Sequence, residues 1–393
     1  MFNEVYIVSA VRTAIGAFGG SLKGISPAEL GTHVSAEVVR RSGVDVETIE
    51  SNIVGHVIRT EVRDAYISRR VALDGGLPVH TQSLTVNRLC GSGLEAITLA
   101  TQQIQLGEVS VAVAGGTESM SSSAHLLTTN RWGQAMGDSK IYDELTGALS
   151  DPFGVGHMGI TAENLADKYG ISREQQDALS LQSQQRASHA IEQGFFKEQI
   201  VPFEVKSRKG VTVFDTDEHP KANSSMDGLA KLRTVFKEGG TVTAGNASGI
   251  NDGASMLLLA SSDQVSAQNL SPMAKVVSYA RCGVPNEIMG IGPVNASIKA
   301  LSRAGLSVAD MDVIESNEAF ASQALSVAKE LELPEDKTNP NGGAIALGHP
   351  IGASGAILMT KALHELQRVK GKYALVTMCI GGGQGIAVVV ERS

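Results

Sequence analysis

Three side chains in this 393-residue sequence sit in surroundings suited to nucleophilic and proton-transfer chemistry: Cys90, His349 and Cys379. Cys90 stands in Asn87-Arg88-Leu89-Cys90-Gly91-Ser92-Gly93, ahead of a helix that Ser92 and Glu95 are expected to open as a capping box. A free thiol has a pKa of about 8.5, and the unpaired N–H groups of a helix start favour thiolate. The expectation is a nucleophile ready near neutral pH. Gly91 and Gly93 would let backbone approach a bound group, as a cysteine holding an acyl group beside an amide donor requires. The competing reading of the same thiol is a small buried hydrophobe.

His349 lies in the small, apolar stretch Asn341 to Gly352, which encloses the imidazole and obliges it to find a partner. General base and oxyanion donor are its functional options, against a plain surface-loop histidine. Cys379 ends an apolar run and enters Ile380-Gly381-Gly382-Gly383-Gln384-Gly385. That spacing fails the dinucleotide pattern, and the β-branched run Ile386 to Val390 follows where a helix would be required, which discounts NAD. Asn317-Glu318-Ala319-Phe320 follows apolar Val313-Ile314 at a strand end, where α/β sheets gather ligand contacts, with an ordinary helix cap as the alternative. Cys282 lacks comparable surroundings and reads as structural.

The elements that position these residues are legible in outline. Strands and helices alternate through the first 120 residues, with Ser26-Pro27-Ala28-Glu29 opening one helix that stops at Gly43, and Val109 to Ala114 reading as a buried strand. From Met120 to about Gly249 the chain is polar and serine-rich, with a helix opened by Ser172 and ended near Gly194, and reads as an insertion. A second α/β pattern follows, with strands near Met256–Ala260, Ala274–Tyr279, Val313–Glu315 and Tyr373–Cys379. Cys90-Gly91-Ser92-Gly93-Leu94 and Ile351-Gly352-Ala353-Ser354-Gly355-Ala356 each open a long helix leading to a similar strand, so the halves read as a duplicated unit. The expected organisation is an N-terminal α/β half over residues 1–120 with about 250–270, an insertion over 121–249, and a C-terminal half over 271–393.

Composition restricts the function classes. With 33 basic and 41 acidic side chains the net charge is −8, which argues against nucleic acid as the main partner. Gly is 43 of the residues, without a three-residue period, and 42% of residues are hydrophobic, which excludes collagen and wholesale disorder. No apolar run reaches membrane-spanning length. No secretory pattern precedes the strand at Val5–Val8, and Glu391-Arg392-Ser393 is not a peroxisomal address, so the expected compartment is the cytoplasm. The three cysteines are too scattered for a metal or disulfide framework.

Four motifs together resemble the thiolase family: Asn87 to Gly93, Asn317 to Phe320, Gly348-His349-Pro350-Ile351-Gly352, and Cys379 to Gly383, in the family's order and over essentially the whole chain. The resemblance implies a five-layered αβαβα fold of two similar halves with an inserted loop domain that binds coenzyme A, and a homotetramer built as a dimer of dimers. It implies a two-step acyl transfer, with Cys90 acylated, His349 activating it, and Cys379 taking or returning a proton on the second acyl-CoA. Two oxyanion sites are implied, one from His349 with a water held by Asn317, the other from the N–H groups of Cys90 and Gly381. His157, Met158, Ser248, Met289, Ala319 and Phe320 match substrate-pocket segments, with Met158, Met289 and Phe320 crowding the pocket toward short acyl chains.

Seven basic residues between Lys206 and Lys237 (Lys206, Arg208, Lys209, Lys221, Lys231, Arg233 and Lys237) face four acidic ones and suit the CoA phosphates. Lys221 stands where relatives often carry arginine, giving a point charge in place of a fork. Asn295 stands where many relatives have proline, and a changed loop is expected there. The segments Arg59 to Asp64 and Asn130 to Gly133 are similar to bacterial β-ketothiolases of broader chain-length range. No metal and no tightly bound cofactor are expected, with CoA as substrate and product. The alternatives are a decarboxylating β-ketoacyl synthase-like enzyme, against which Cys379 argues, and a silent acyl-CoA or lipid carrier, for which neither reactive cysteine would be required.

Overall fold

The computed structural model describes residues 3–208 and 210–393. β1 (Val5–Arg12) leads to α1 (Pro27–Ser42), opened by the capping box of Ser26 and Glu29 with Pro27 at its first position. Gly43 ends α1 at φ 71°, a left-handed conformation that glycine adopts without a Cβ clash. β2 (Ser51–Gly55), α2 (Ile67–Asp74), β3 (Gln82–Val86), α3 (Ser92–Gln105) and β4 (Val111–Ser119) follow. The chain then leaves the sheet for short hairpins and two longer helices, α4 (Met158–Tyr169) and α5 (Arg173–Glu192), the latter capped by Ser172 with Gln175. It returns in β5 (Asn251–Ser261). The second half runs β6 (Ala274–Gly283), α6 (Gly292–Ala304), β7 (Val313–Ser316), α7 (Ala321–Leu331), α8 (Ile351–Arg368), β8 (Tyr373–Ile380) and β9 (Gln384–Arg392).

The first half pairs its strands in the order β3-β2-β4-β5-β1, parallel across the first three and antiparallel thereafter. The second half repeats this pattern as β7-β8-β9-β6, and Thr338 bridges Ile314 where β3 lies in the first. The two sets meet where Tyr6 and Ile7 face Lys275 and Ala274. α1 and α2 cover one outer face, α6 covers the other with α7 against it, and α3 and α8 lie together between the sheets. These are the five layers αβαβα.

Strand alternation shows both faces buried. Val111 and Val113 join the cluster under α1, while Ala112 and Ala114 face α3 and α8. In the second half Leu375 and Val389 pack outward against α6, and Val376, Met378, Val388 and Val390 pack inward.

The central helices approach closely because glycines line their crossing. A Cβ on Gly93 would lie 2.8 Å from Ala356 N and 3.0 Å from Gly352 O, and one on Gly55 would lie 2.6 Å from the Ser92 carbonyl carbon. Gly116 leaves room for Gly352 O. Gly91 and Gly93 therefore serve packing, Gly91 against Ile380 and Gly93 against α8, which corrects the expectation that they give room to a ligand.

Two further expectations are overturned. Ser92 does not cap α3: Gly91 does, and the Ser92 hydroxyl accepts from Arg88 N at 2.8 Å and donates to Leu89 O at 2.7 Å. Glu95 pairs instead with Arg88 at 3.1 Å and Arg281 at 2.5 Å, because charge-assisted bonds outcompete a cap. Asn295 is exposed in the first turn of α6, which Pro293 already opens, so no changed loop results there.

Gly116→Ala is expected to lower the thermal midpoint markedly, at a cost of about 1–3 kcal/mol or more from overpacking. Gly24→Ala, where a Cβ meets nothing within 4 Å, is the control. Equal midpoints in the two variants would contradict the crossing described above.

Candidate active site

A strained turn delivers Cys90 to the start of α3. Leu89 holds φ at 46°, a left-handed conformation that costs a non-glycine residue about 1–3 kcal/mol. The turn is held by Asn87 Oδ1, which accepts from Leu89 N at 3.0 Å, and by the Ser92 hydroxyl described above. No composition or motif signal marks Leu89, because strain is a property of the assembled turn.

Cys90 is half-buried and Cys379 fully buried at the end of β8. Burial pushes the Cys90 thiol up to about 11, against the N–H groups of Gly381 and of Cys90 itself, which favour thiolate. Glu118 adds repulsion in the same upward direction. The expectation of a thiol lowered by the helix start is therefore overturned: desolvation outweighs the amide donors. Burial and then the neighbouring Cys90 push Cys379 higher still, so the two sulfurs belong to one site. Gly382 and Gly383, at φ 80° and 90°, make the turn after Cys379 that brings the Gly381 N–H to Cys90.

His349 is buried, and burial takes its imidazole down to about 4, leaving it neutral across the physiological range. Its Nδ1 lies 2.6 Å from Ser354 Oγ, whose own hydroxyl donates to Pro350 O at 2.9 Å. The serine can then only accept from the ring, so Nδ1 carries the proton and Nε2 presents a lone pair. That Nε2 is buried without a hydrogen-bond partner, as are both amide atoms of Asn317. Asn317 shares a small internal cavity with Gly343, Gly348 and Ser354, next to the imidazole's loop. The backbone N–H of His349 donates to Asn251 Oδ1 at 2.9 Å. Ser354 lies within the motif read from sequence, but its part in selecting the tautomer depends on the helical turn that brings it back to residue 349.

Met158, Met289, Ala319 and Phe320 form one apolar cluster with Cys379, and Phe236 and Ala247 pack against it. His157 caps α4, accepting from Gly159 N at 3.1 Å, and stacks on Phe236 with centroids 4.6 Å apart. Burial lowers its pKa. Ser248 N donates to Ala319 O at 2.9 Å, joining the insertion to the pocket wall. Phe236 is a member of this cluster that sequence reasoning missed. Lys221 is not brought into this cluster: it is exposed, two residues after half-buried His219, whose pKa burial and then Lys221 lower. Lys237, from the same basic run, pairs with Asp167 at 2.7 Å, and Lys209 lies outside the described residues. Cys282 pairs with Gly385 in the β6–β9 ladder. Among the described residues no group of three or more His, Cys, Asp or Glu could hold a metal ion, and no helix is long and apolar enough to cross a membrane.

Two layered halves, with Cys90 just before one central helix, His349 just before the other and Cys379 near the end of β8 beside Cys90, are the arrangement of an acyl-transferring enzyme that works through thiols. Residues 5–263 match the thiolase N-terminal domain and residues 270–392 the thiolase C-terminal domain. The chain is 55% identical over 393 residues to beta-ketothiolase BktB of Cupriavidus necator, covering 100% of both. It is 52% identical over 391 residues to an acetyl-CoA acetyltransferase of Chromobacterium violaceum, covering 99% of this chain and 100% of that one. The crystal structure of human mitochondrial 3-ketoacyl-CoA thiolase superposes with a TM-score of 0.98 at 45% identity, covering 100% of this chain and 99% of that one. The chain belongs to the thiolase family. Its activity is accordingly that of an acyl-CoA C-acyltransferase.

Because folded His349 binds its proton only near 4 and an unfolded histidine near 6.5, the unfolded state takes up more protons between those values. Stability should therefore fall by up to ~3 kcal/mol as pH drops through that window. His349→Gln should flatten that segment of a denaturation-versus-pH curve; an unchanged slope would contradict a buried neutral imidazole.

Proposed function

We propose that the enzyme condenses two acetyl-CoA to acetoacetyl-CoA and CoA, and in reverse cleaves short 3-ketoacyl-CoA, with Cys90 carrying the acyl group. The observation that carries this reading is the meeting of Cys90 and Cys379 beside the Gly381 amide. The first stage moves the Cys90 proton to His349 Nε2 as sulfur attacks the thioester carbonyl. The oxyanion is held by the N–H groups of Cys90 and Gly381, each well-placed donor contributing roughly 2.7–4 kcal/mol. The departing CoA thiolate takes the proton of Cys379, leaving acetyl-Cys90 and a Cys379 thiolate.

In the second stage that thiolate removes an α-proton from the second acetyl-CoA. The resulting enolate is stabilised by His349 and by a water bound to the free amide of Asn317. Enolate carbon attacks acetyl-Cys90, the carbon–sulfur bond breaks, and the Cys90 thiolate recovers its proton from His349. The balance is two acetyl-CoA to one acetoacetyl-CoA and one CoA, with every side chain restored. The raised proton affinity of Cys379 suits both roles, since it rests as a thiol and becomes a strong base once ionised. These steps use thiols, imidazole and amides, with CoA as substrate and product and no resident cofactor.

Met158, Met289 and Phe320 favour short chains, with methionine flexibility making the limit gradual. His157 and Ser248 border this pocket, and Lys221 with the other basic residues of the insertion suits the CoA phosphates. A solved structure of the human mitochondrial enzyme in complex with CoA, at TM-score 0.96 and 45% identity over 100% of this chain and 98% of that one, supports CoA as the ligand. We assign a homotetramer, a dimer of dimers, in the cytoplasm, with a role in fatty acid metabolism. The assembly is supported by a cluster of exposed apolar side chains in the insertion, among them Leu126, Trp132, Met136 and Tyr142.

Incubation with acetyl-CoA should add about 42 Da to the peptide holding Cys90, approaching one acetyl per chain. Peptide mass spectrometry of the parent and Cys90→Ala tests this. An acetyl label that survives in the variant would sink the assignment.

A further inference from the structure

Glu118, near the end of β4, is a buried carboxylate on which three backbone N–H groups converge. Its Oε2 accepts from Gly352 N at 2.9 Å and Val57 N at 3.2 Å, and its Oε1 from Ile58 N at 3.1 Å. Ile58 and Ile351 belong, with Met120, to the apolar cluster against which Cys90 packs. One carboxylate thus ties together two segments that flank the nucleophile, and one of them is the first turn of α8, directly after His349-Pro350. α8 has no side-chain cap of its own, and Glu118 reaches its first turn from the strand beneath it. The contact depends on Gly352, since a Cβ there would lie 2.7 Å from Glu118 Oε2.

The charge on this carboxylate is met by His56. His56 Nδ1 lies 3.2 Å from Glu118 Oε1 and 3.2 Å from Thr117 O, and Nε2 lies 3.8 Å from Asp64 Oδ2. Asp64 is itself held by Thr60 and by the Glu61 N–H, with Arg70 4.0 Å away. Burial opposes a charge on the ring, but Glu118, Thr117 O and Asp64 outweigh it and raise its proton affinity. A buried carboxylate without a cationic partner would be costly, so the two belong together.

We propose that Glu118 and His56 are a charge-balanced positioning pair that registers the start of α8 against the floor beneath Cys90 and tunes the reactivity of that thiol. The inference rests on Cys90 being the acylated nucleophile. Around that thiol stand Glu118, Cys379, the Gly381 N–H and the His349 loop; around His56 stand Glu118 of β4 and Asp64, with Arg70 of α2 beyond. Glu118 opposes ionisation of Cys90, and His56 offsets Glu118. Removing the carboxylate charge should therefore ease thiolate formation, and removing its cationic partner should hinder it.

The test compares Glu118→Gln and His56→Asn in the full-length enzyme, reading iodoacetamide alkylation of Cys90 at neutral pH by peptide mapping. Alkylation should be about threefold faster or more in Glu118→Gln and slower by a similar factor in His56→Asn, since a neighbouring charge shifts the thiolate fraction in opposite senses. In both variants kcat for condensation should fall about tenfold or more with KM within about twofold, because the register of His349 against Cys90 is lost while substrate binding remains. Alkylation that moves in the same direction in both, or in neither, would overturn the proposal. If Glu118→Gln does not fold, His56→Asn decides alone, and unchanged or faster alkylation there overturns it. Activity persisting in Cys90→Ala would instead break the underlying reading of the nucleophile.

Discussion

The close crossing of α3 and α8 at their first turns is the constraint on which this structure depends. α3 begins two residues after Cys90 and α8 begins directly after His349-Pro350. Packing the two starts together therefore brings the residues to one end of the buried layer. Gly93, Gly355, Gly352, Gly55 and Gly116 all lack the Cβ that would separate these segments. The duplicated sheet then supplies the third component, because β8 beneath α8 carries Cys379 just before its last residue, Ile380, and the chain turns through three glycines toward Cys90. Burial that in an ordinary core would serve stability here also determines chemistry.

The same desolvation acts with opposite sign on the two kinds of group. It raises both thiols and lowers the imidazole, so the resting site is uncharged at neutral pH apart from the Glu118–His56 pair beneath it. In the proposed mechanism charge develops only when a proton moves from sulfur to nitrogen. In that mechanism the amides of Cys90 and Gly381 and the free amide of Asn317 are already in place where negative charge forms, and His349 joins them as a donor once its Nε2 has taken the proton. The tautomer that makes His349 an acceptor follows from a single serine hydroxyl committed to a helix carbonyl.

Much of the fold was legible because its signals are local. Ser26 and Ser172 cap their helices with partners three residues on, and the apolar strands near Ala274, Val313 and Tyr373 lie where their patterns put them. Ser92 carried the same local pattern and failed, because its intended partner Glu95 is claimed by Arg281, 186 residues away in sequence. β4 continues past Ala114 to Ser119 through Thr117 and Glu118, polar residues whose buried partners come from distant segments. The residue types of the site could be read, but the electrostatic state of Cys90 could not, since its desolvation is set by segments around residues 58, 120, 351 and 381.

The account's central claim is a division of labour between two thiols, one that holds the acyl group and one that moves the α-proton. The most direct measurement is deuterium incorporation from heavy water into acetyl-CoA, compared between the parent enzyme and Cys379→Ala at equal acylation of Cys90. The account predicts that acylation persists in the variant while exchange and condensation fall together by at least roughly 10²-fold, the range of a lost general base. Exchange and condensation at parental rates in the variant would contradict it and leave Cys379 as packing.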